Sequence, residues 1–183
     1  MILDVGCGSG IHLNYLSKKY PAVKELVGID LSKEMIAIAE SSSSGKSSAK
    51  YFVSGMDNLP FADDYFDLAF SFNSIHYSAN LNVTLAEVKR VTKRGGFFTF
   101  QVVHPVFTLF VKKSKDYSKK ENVGFPIQGG TLLVSHPSFT LDEHINAIVD
   151  NDWNLVSMKE LYGRRSRIGE YFIPTLICFR LQK

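Results

Sequence analysis

Cysteine is scarce: there are two in 183 residues, Cys7 and Cys178, and their separation forms no metal or redox spacing. A disulfide scaffold is thereby excluded, and a reduced, cytoplasmic setting is the natural expectation. No apolar run approaches the roughly 20 residues needed to cross a bilayer, so the chain reads as soluble with no membrane partner. No charged-then-apolar leader stands ahead of the first apolar segment, and nothing marks the chain for secretion. Neither sign of charge dominates: 21 Lys and Arg against 18 Asp and Glu leave a net charge of +3. That mild balance permits nucleic-acid contact without arguing for it. Internal repeats and linker-like boundaries are also lacking. With 45% hydrophobic residues, one domain over 1–183 with one full core is expected.

What is present is concentrated at the start. Met1 to Val5 is an apolar strand that runs directly into glycines at Gly6, Gly8 and Gly10. A helical pattern follows at once through Ile11, Leu13 and Leu16. Strand, glycine turn and helix form the arrangement that sets a ligand against bare backbone at a helix N-terminus. The dinucleotide fingerprint G-x-G-x-x-G requires its third glycine at position 11, which is Ile11. The spacing therefore points away from NAD and towards another nucleoside ligand. Asp4 adds an acid within the strand. Leu26 to Asp30 reads as the next strand, and a carboxylate at its end can accept both hydroxyls of a ribose.

Ile2–Gly10, Val27–Ser32, and Gly55–Phe61 followed by Phe66–Ser71 occur in order, and with them the chain resembles the class I S-adenosylmethionine-dependent methyltransferases. The resemblance runs from residue 1 to about residue 103 and more weakly beyond. It implies an α/β, Rossmann-like, doubly wound and mostly parallel seven-stranded sheet, with the last strand antiparallel and helices on both faces. It implies S-adenosyl-L-methionine as cofactor, S-adenosyl-L-homocysteine as product and no metal. Gly6, Cys7, Gly8 and Gly10 would hold the amino-acid end of the cofactor, with Asp4 reached through water or a backbone amide. Cys7 itself has no basic neighbour in sequence and reads as a small buried filler. Asp30 would take the ribose, Leu31 and Met35 would line the adenine, and Met56 and Asp57 would pack on its ring and accept its amino group. Phe72 and Asn73 would contact the methionine part. The Asn/Asp-Pro-Pro-aromatic motif of adenine and glutamine methylation is absent from this stretch.

Each assignment has a plainer competitor. Asp30 could cap a helix, although Ser32 already does so. Asp57 could form an Asx turn before Leu59-Pro60, and Leu31 and Met35 could be ordinary core. Methyl transfer from a sulfonium needs positioning and water exclusion first, and a base only where the acceptor must lose a proton early. His76 and His104 are the candidate catalytic groups at the ends of strands four and five, with Tyr77 a third polar contact. Structural histidines are an equal alternative for both.

Further along, helices are expected over Ile11–Lys19, from Ser32, over Asn82–Thr92, and from the capping box Thr140-x-x-Glu143. Lys89, Arg90 and Lys93 suit a helix C-terminus, which Gly95-Gly96 should stop before a strand from Gly96 to Val103. Asp63, Asp64 and Asp67 read as a solvated lead-in. Ser41 to Ser48 reads as a mobile surface connector. Residues 105–137, with their prolines, glycines and lysines, suggest an acceptor-side insertion or cover with little to bury. Trp153–Leu161 and Thr175–Gln182 should close the sheet.

The leading function is methylation of a small-molecule acceptor. Alternatives are a catalytically weak cofactor-binding module acting with a partner, or an RNA or protein methyltransferase using the basic runs at 112–120 and 164–167. Those runs lack interleaved aromatics, so nucleic acid is the lesser reading. Family members usually carry helices ahead of the first strand, whereas Met1 already lies in it. Exposed apolar surface, weaker cofactor affinity and self-association as a homo-oligomer are therefore expected.

Overall fold

The computed structural model describes residues 1–43, 49–127, 132–163 and 166–183. Its main sheet uses β1 (Ile2–Val5), β2 (Leu26–Asp30), β3 (Ala49–Val53), β4 (Phe66–Phe72), β5 (Thr92–Val103), β8 (Asn154–Leu161) and β11 (Leu176–Gln182), while β9 (Arg167–Ile168) and β10 (Tyr171–Phe172) pair separately. The order across the sheet is β3-β2-β1-β4-β5-β11-β8. β1 to β5 are parallel, and β11 enters antiparallel between β5 and β8. Strand order reverses between β1 and β4, and the crevice at that switch point is where an open α/β sheet receives its ligand. The α/β expectation, with its inserted antiparallel last strand, is met.

Alternation places the core. Phe98, Phe100 and Val102 of β5 and Ile177, Phe179 and Leu181 of β11 are buried on one face. They meet Leu85 and Val88 of α3 (Leu81–Val91) and Ala147 and Ile148 of α5 (Leu141–Asp150). On the other side Leu13 of α1 (Ile11–Lys19) joins Leu26 and Phe70 in a smaller cluster. α2 (Lys33–Ser42) starts at Ser32, whose Oγ accepts from the Met35 amide, and α5 starts at Thr140, whose amide and hydroxyl both donate to Glu143. None of the helices among the described residues is long and apolar enough to cross a membrane.

Three sequence expectations change. Gly95-Gly96 does not stop α3: the helix passes into β5 at Thr92, and Gly95, at φ 77°, lies within β5 where its register against β4 shifts. A local glycine signal cannot separate a helix stop from a bulge, because the bulge is set by the neighbouring strand. Residues 105–137 are not a bare cover. They form α4 (Pro105–Val111) and an antiparallel hairpin, β6 (Asn122–Ile127) with β7 (Leu132–Pro137), and they bury Val123, Thr108 and His136. Lys112 is 3% exposed, and its ammonium donates to the carbonyls of Asp116, Tyr117 and Lys119, which fastens the loop between α4 and β6. The serine connector begins later than expected, since α2 includes Ser41 and Ser42; residues 44–48 lie outside the described residues, as do 164 and 165. The acids Asp63 and Asp64 before β4, and Asp67 at its start, are exposed as expected and are also paired: Asp63 with Arg90, Asp64 with Lys183, and Asp67 with Lys93 and the chain's amino group.

Candidate active site

The turn after β1 has the backbone its glycines permit, with Gly6, Gly8 and Gly10 at φ 76°, 52° and 73°. The amides of Gly6 and Cys7 both donate to the Ile29 carbonyl, tying the ends of β1 and β2 together. Space is as strict as dihedral angle at two of the three glycines. A Cβ on Gly6 would lie 2.3 Å from Ser74 Cβ, and one on Gly10 2.6 Å from the Tyr51 hydroxyl. At Gly8 a Cβ would enter open space, so that stretch of backbone forms an open cradle. Ser74, just past β4, donates its hydroxyl to the Gly6 carbonyl.

Beside the turn, Asp30 Oδ2 accepts from the Gly8 amide and Oδ1 from the Ser32 amide, each at 2.9 Å. The carboxylate is thereby fixed in orientation, and each oxygen keeps a second lone pair for a ligand. Asp4 is different. It is 1% exposed, and neither carboxylate oxygen has a hydrogen-bond partner among the described residues. The closest basic group among the described residues is His12, with Nδ1 at 3.8 Å, an ion-pair distance when the imidazole is protonated and too long for a hydrogen bond. Burial pushes the Asp4 carboxyl above its ordinary range, and the carboxylate beside it raises His12. Cys7 is buried and its thiol is pushed up to about 12, chiefly by burial, so it is inert as a nucleophile at neutral pH.

A cleft of about 970 Å³ opens at the carboxyl ends of β1, β2 and β4. It brings together Gly6, Asp30, Leu31, Met35, Met56 and Asp57 of the residues singled out in sequence. Asp4, Cys7, Gly8, Gly10, Phe72 and Asn73 are not part of its lining. Phe72 instead packs on His12 and Phe70, and Asn73, at φ 58°, binds Gln101 through main chain and side chain. The lining also includes residues given no role from sequence: Ser74, the segment Ser78–Asn80, Val83 and Thr84 of α3, and Val134 of β7. Ser74 had one signal, its place directly after a strand end at the switch point. Val83, Thr84 and Val134 had none, because the sheet alone brings their elements to the cleft.

The two candidate catalytic histidines are outside this lining, and Tyr77 is within it. His76 is 5% exposed, with its ring 4.4 Å from Tyr77 and 4.5 Å from His136. Burial, then the neighbouring His136 and His144, pushes it down to about 3, which leaves little basicity. His104 caps α4 by accepting from the Val106 amide at Nδ1, while Nε2 meets Glu160 at 3.2 Å. Both of its ring nitrogens are occupied by structural contacts.

A family model described as a methyltransferase domain matches residues 3–100. A malonyl-[acyl-carrier protein] O-methyltransferase of Legionella pneumophila is 34% identical over 104 residues, covering 57% of this chain and 36% of the relative. A protein of the same name from Buchnera aphidicola is 36% identical over 104 residues, 56% of this chain and 39% of the relative. This chain thus spans less than two-fifths of the length of either relative. Among solved structures, an S-adenosylmethionine-dependent methyltransferase of Mesorhizobium loti superimposes with a TM-score of 0.81 at 20% identity, covering 100% of this chain and 90% of that one. At that identity the likeness is one of fold. The family match takes in the glycine turn, Asp30, Met56–Asp57 and all of β4, and extends to Phe100 in β5. The chain belongs to the methyltransferase-domain family and carries the class I fold of its S-adenosylmethionine-dependent members.

Proposed function

We propose that the chain binds S-adenosyl-L-methionine in this cleft and transfers its methyl group to a small-molecule acceptor. The observation that carries the reading is the convergence of Gly6, Asp30, Met56 and Asp57 on one cleft at the switch point of the sheet. When bound, the cofactor supplies an electrophilic methyl group on a sulfonium. The protein's share is to orient, to hold charge and to keep water out. Asp30, with both oxygens already aligned by backbone amides, accepts the ribose hydroxyls. Met56 lies against the adenine and Asp57 accepts its amino group. The Gly8 cradle holds the amino-acid end, and Asp4, buried behind it with no hydrogen-bond partner among the described residues, is reached from the ligand ammonium through water or a backbone amide. Tyr77, Val83 and Val134 form the acceptor wall, and the β6–β7 hairpin is its cover. His76 and His104 act by holding this wall in place.

Asp30→Ala should weaken S-adenosylhomocysteine binding more than Asp57→Ala, because Asp30 offers two charge-assisted bonds, each worth about 1.5–3 kcal/mol. Calorimetry with both variants decides: equal affinity of Asp30→Ala and the parent protein would remove the ribose assignment.

The names of the curated relatives favour a second reading, an acceptor carried as an acyl group on a carrier protein. Release of S-adenosylhomocysteine with free small acids, and with malonyl groups on acyl carrier protein, separates the two. Turnover only with the carrier-linked group would replace the small-molecule reading. Binding without turnover on any acceptor would make the chain a cofactor-binding module that acts with a partner.

A further inference from the structure

Met56 and Asp57 stand on residues 54–65, the connection between β3 and β4, which is held in place from outside by α3. Glu87 and Arg90, an i, i+3 ion pair on that helix, grip its backbone. Glu87 Oε2 accepts from the Leu59 amide at 2.9 Å, and Arg90 Nη2 donates to the Leu59 carbonyl at 2.9 Å. Both backbone polar groups of one residue are thus read by one ion pair. Arg90 Nη1 donates to the Phe61 carbonyl at 2.7 Å and to Asp63 Oδ1 at 2.8 Å. Nε and Nη2 each donate to Glu87 at 2.8 Å. Those contacts use all five N–H donors of the guanidinium.

The geometry is specific in two respects. Leu59 is 2% exposed, so the gripped residue is also anchored in the core two positions after Asp57. The pair itself is outside the lining of the cleft, whereas Val83 and Thr84 on the same helix are within it. One rigid helix therefore carries one wall of the cleft and fixes the backbone that presents the other. Arginine suits this task because its planar fork meets two carbonyls and a carboxylate in fixed directions, and lysine is a point charge on a flexible stem.

We propose that Arg90, braced by Glu87, is a positioning residue that sets where Met56 and Asp57 meet the adenine ring, and so determines selectivity for an adenosyl ligand. The proposal rests on the adenosyl reading of the cleft given above. A group acting this way changes discrimination between bases, whereas a purely structural salt bridge changes stability alone.

The test is calorimetric binding of S-adenosylhomocysteine and S-inosylhomocysteine to the parent protein, Arg90→Lys and Glu87→Gln, well below each protein's melting temperature. The inosyl analogue replaces the amino group by a carbonyl, which the Asp57 carboxylate disfavours. The parent should prefer the adenosyl ligand by about tenfold or more, the worth of one charge-assisted bond. In Arg90→Lys and Glu87→Gln that preference should fall several-fold while the ribose contact keeps both ligands bound. A parent protein that binds S-adenosylhomocysteine without preferring it over the inosyl analogue would overturn the Asp57 assignment, and the proposal with it. A parent that discriminates, with both variants folded and discriminating equally, would overturn the positioning role alone. Should Arg90→Lys fail to fold, Glu87→Gln decides; failure of both to fold would assign the pair to stability and overturn the proposal.

Discussion

Gly6→Ala is expected to lower S-adenosylhomocysteine affinity by about a hundredfold, equivalent to about 3 kcal/mol of hydrogen bonding made by the displaced turn. Two penalties coincide at this residue. Its φ of 76° is left-handed, which costs an L-residue about 1–2 kcal/mol. Its Cβ would also lie 2.3 Å from Ser74 Cβ, an atom one bond from the main chain and unable to swing aside. The turn or the strand end after β4 must therefore move, and both border the cleft. Gly95→Ala separates the two causes. Gly95 has φ 77°, but nothing lies within 4 Å of the position its Cβ would take. That variant should lose stability and retain affinity. If Gly6→Ala binds within a few-fold of the parent, the turn does not hold the ligand.

The second large effect is acid lability. His76, His104, His136 and His144 are all buried, and burial pushes each below the ordinary histidine range. A histidine whose folded value is lowered favours the unfolded chain once pH falls below its unfolded value near 6.5. For His76, held at about 3, that loss continues throughout the interval between the two values. One such group removes about 1.4 kcal/mol per pH unit, or roughly 2 kcal/mol between pH 6.5 and pH 5. Three more of the same sign act on a native state worth about 5–15 kcal/mol in total. His12 and Asp4 oppose them: the raised value of each adds stability that is present at low pH and lost as pH rises through its folded value. Two groups of that sign stand against four buried histidines. Urea midpoints should therefore fall steeply from pH 7 to pH 5, and His76→Phe should shallow the slope. A midpoint unchanged over that range would contradict the buried, neutral cluster.

The fold was legible where sequence acts locally. Three glycines at positive φ, Ser32 and Thr140 at helix starts, and the alternation through β5 are each encoded within a few residues of where they act. Contacts between distant segments were not. Arg90 reads from sequence as a cation suited to a helix end, yet its partners are Glu87, Asp63 and two carbonyls near residue 60. Lys89 likewise donates to the carbonyls of Asn151 and Asp152, some sixty residues away in sequence. Residues 105–137 look polar and irregular, but Lys112 is buried because three carbonyls converge on it, a pattern no composition announces. The cleft follows the same rule. Its β1, β2 and Met56–Asp57 parts could be found in sequence, whereas the α3 and β7 walls arise from the topology.

The most direct measurement is calorimetric titration of the chain with S-adenosylhomocysteine and, separately, with NAD. A G-x-G-x-G turn, with Ile11 where the dinucleotide fingerprint has its last glycine, together with Asp30 and Asp57 on one cleft, predicts one-to-one binding of S-adenosylhomocysteine and none of NAD. Binding of NAD, or no binding of S-adenosylhomocysteine by the folded protein, would contradict it.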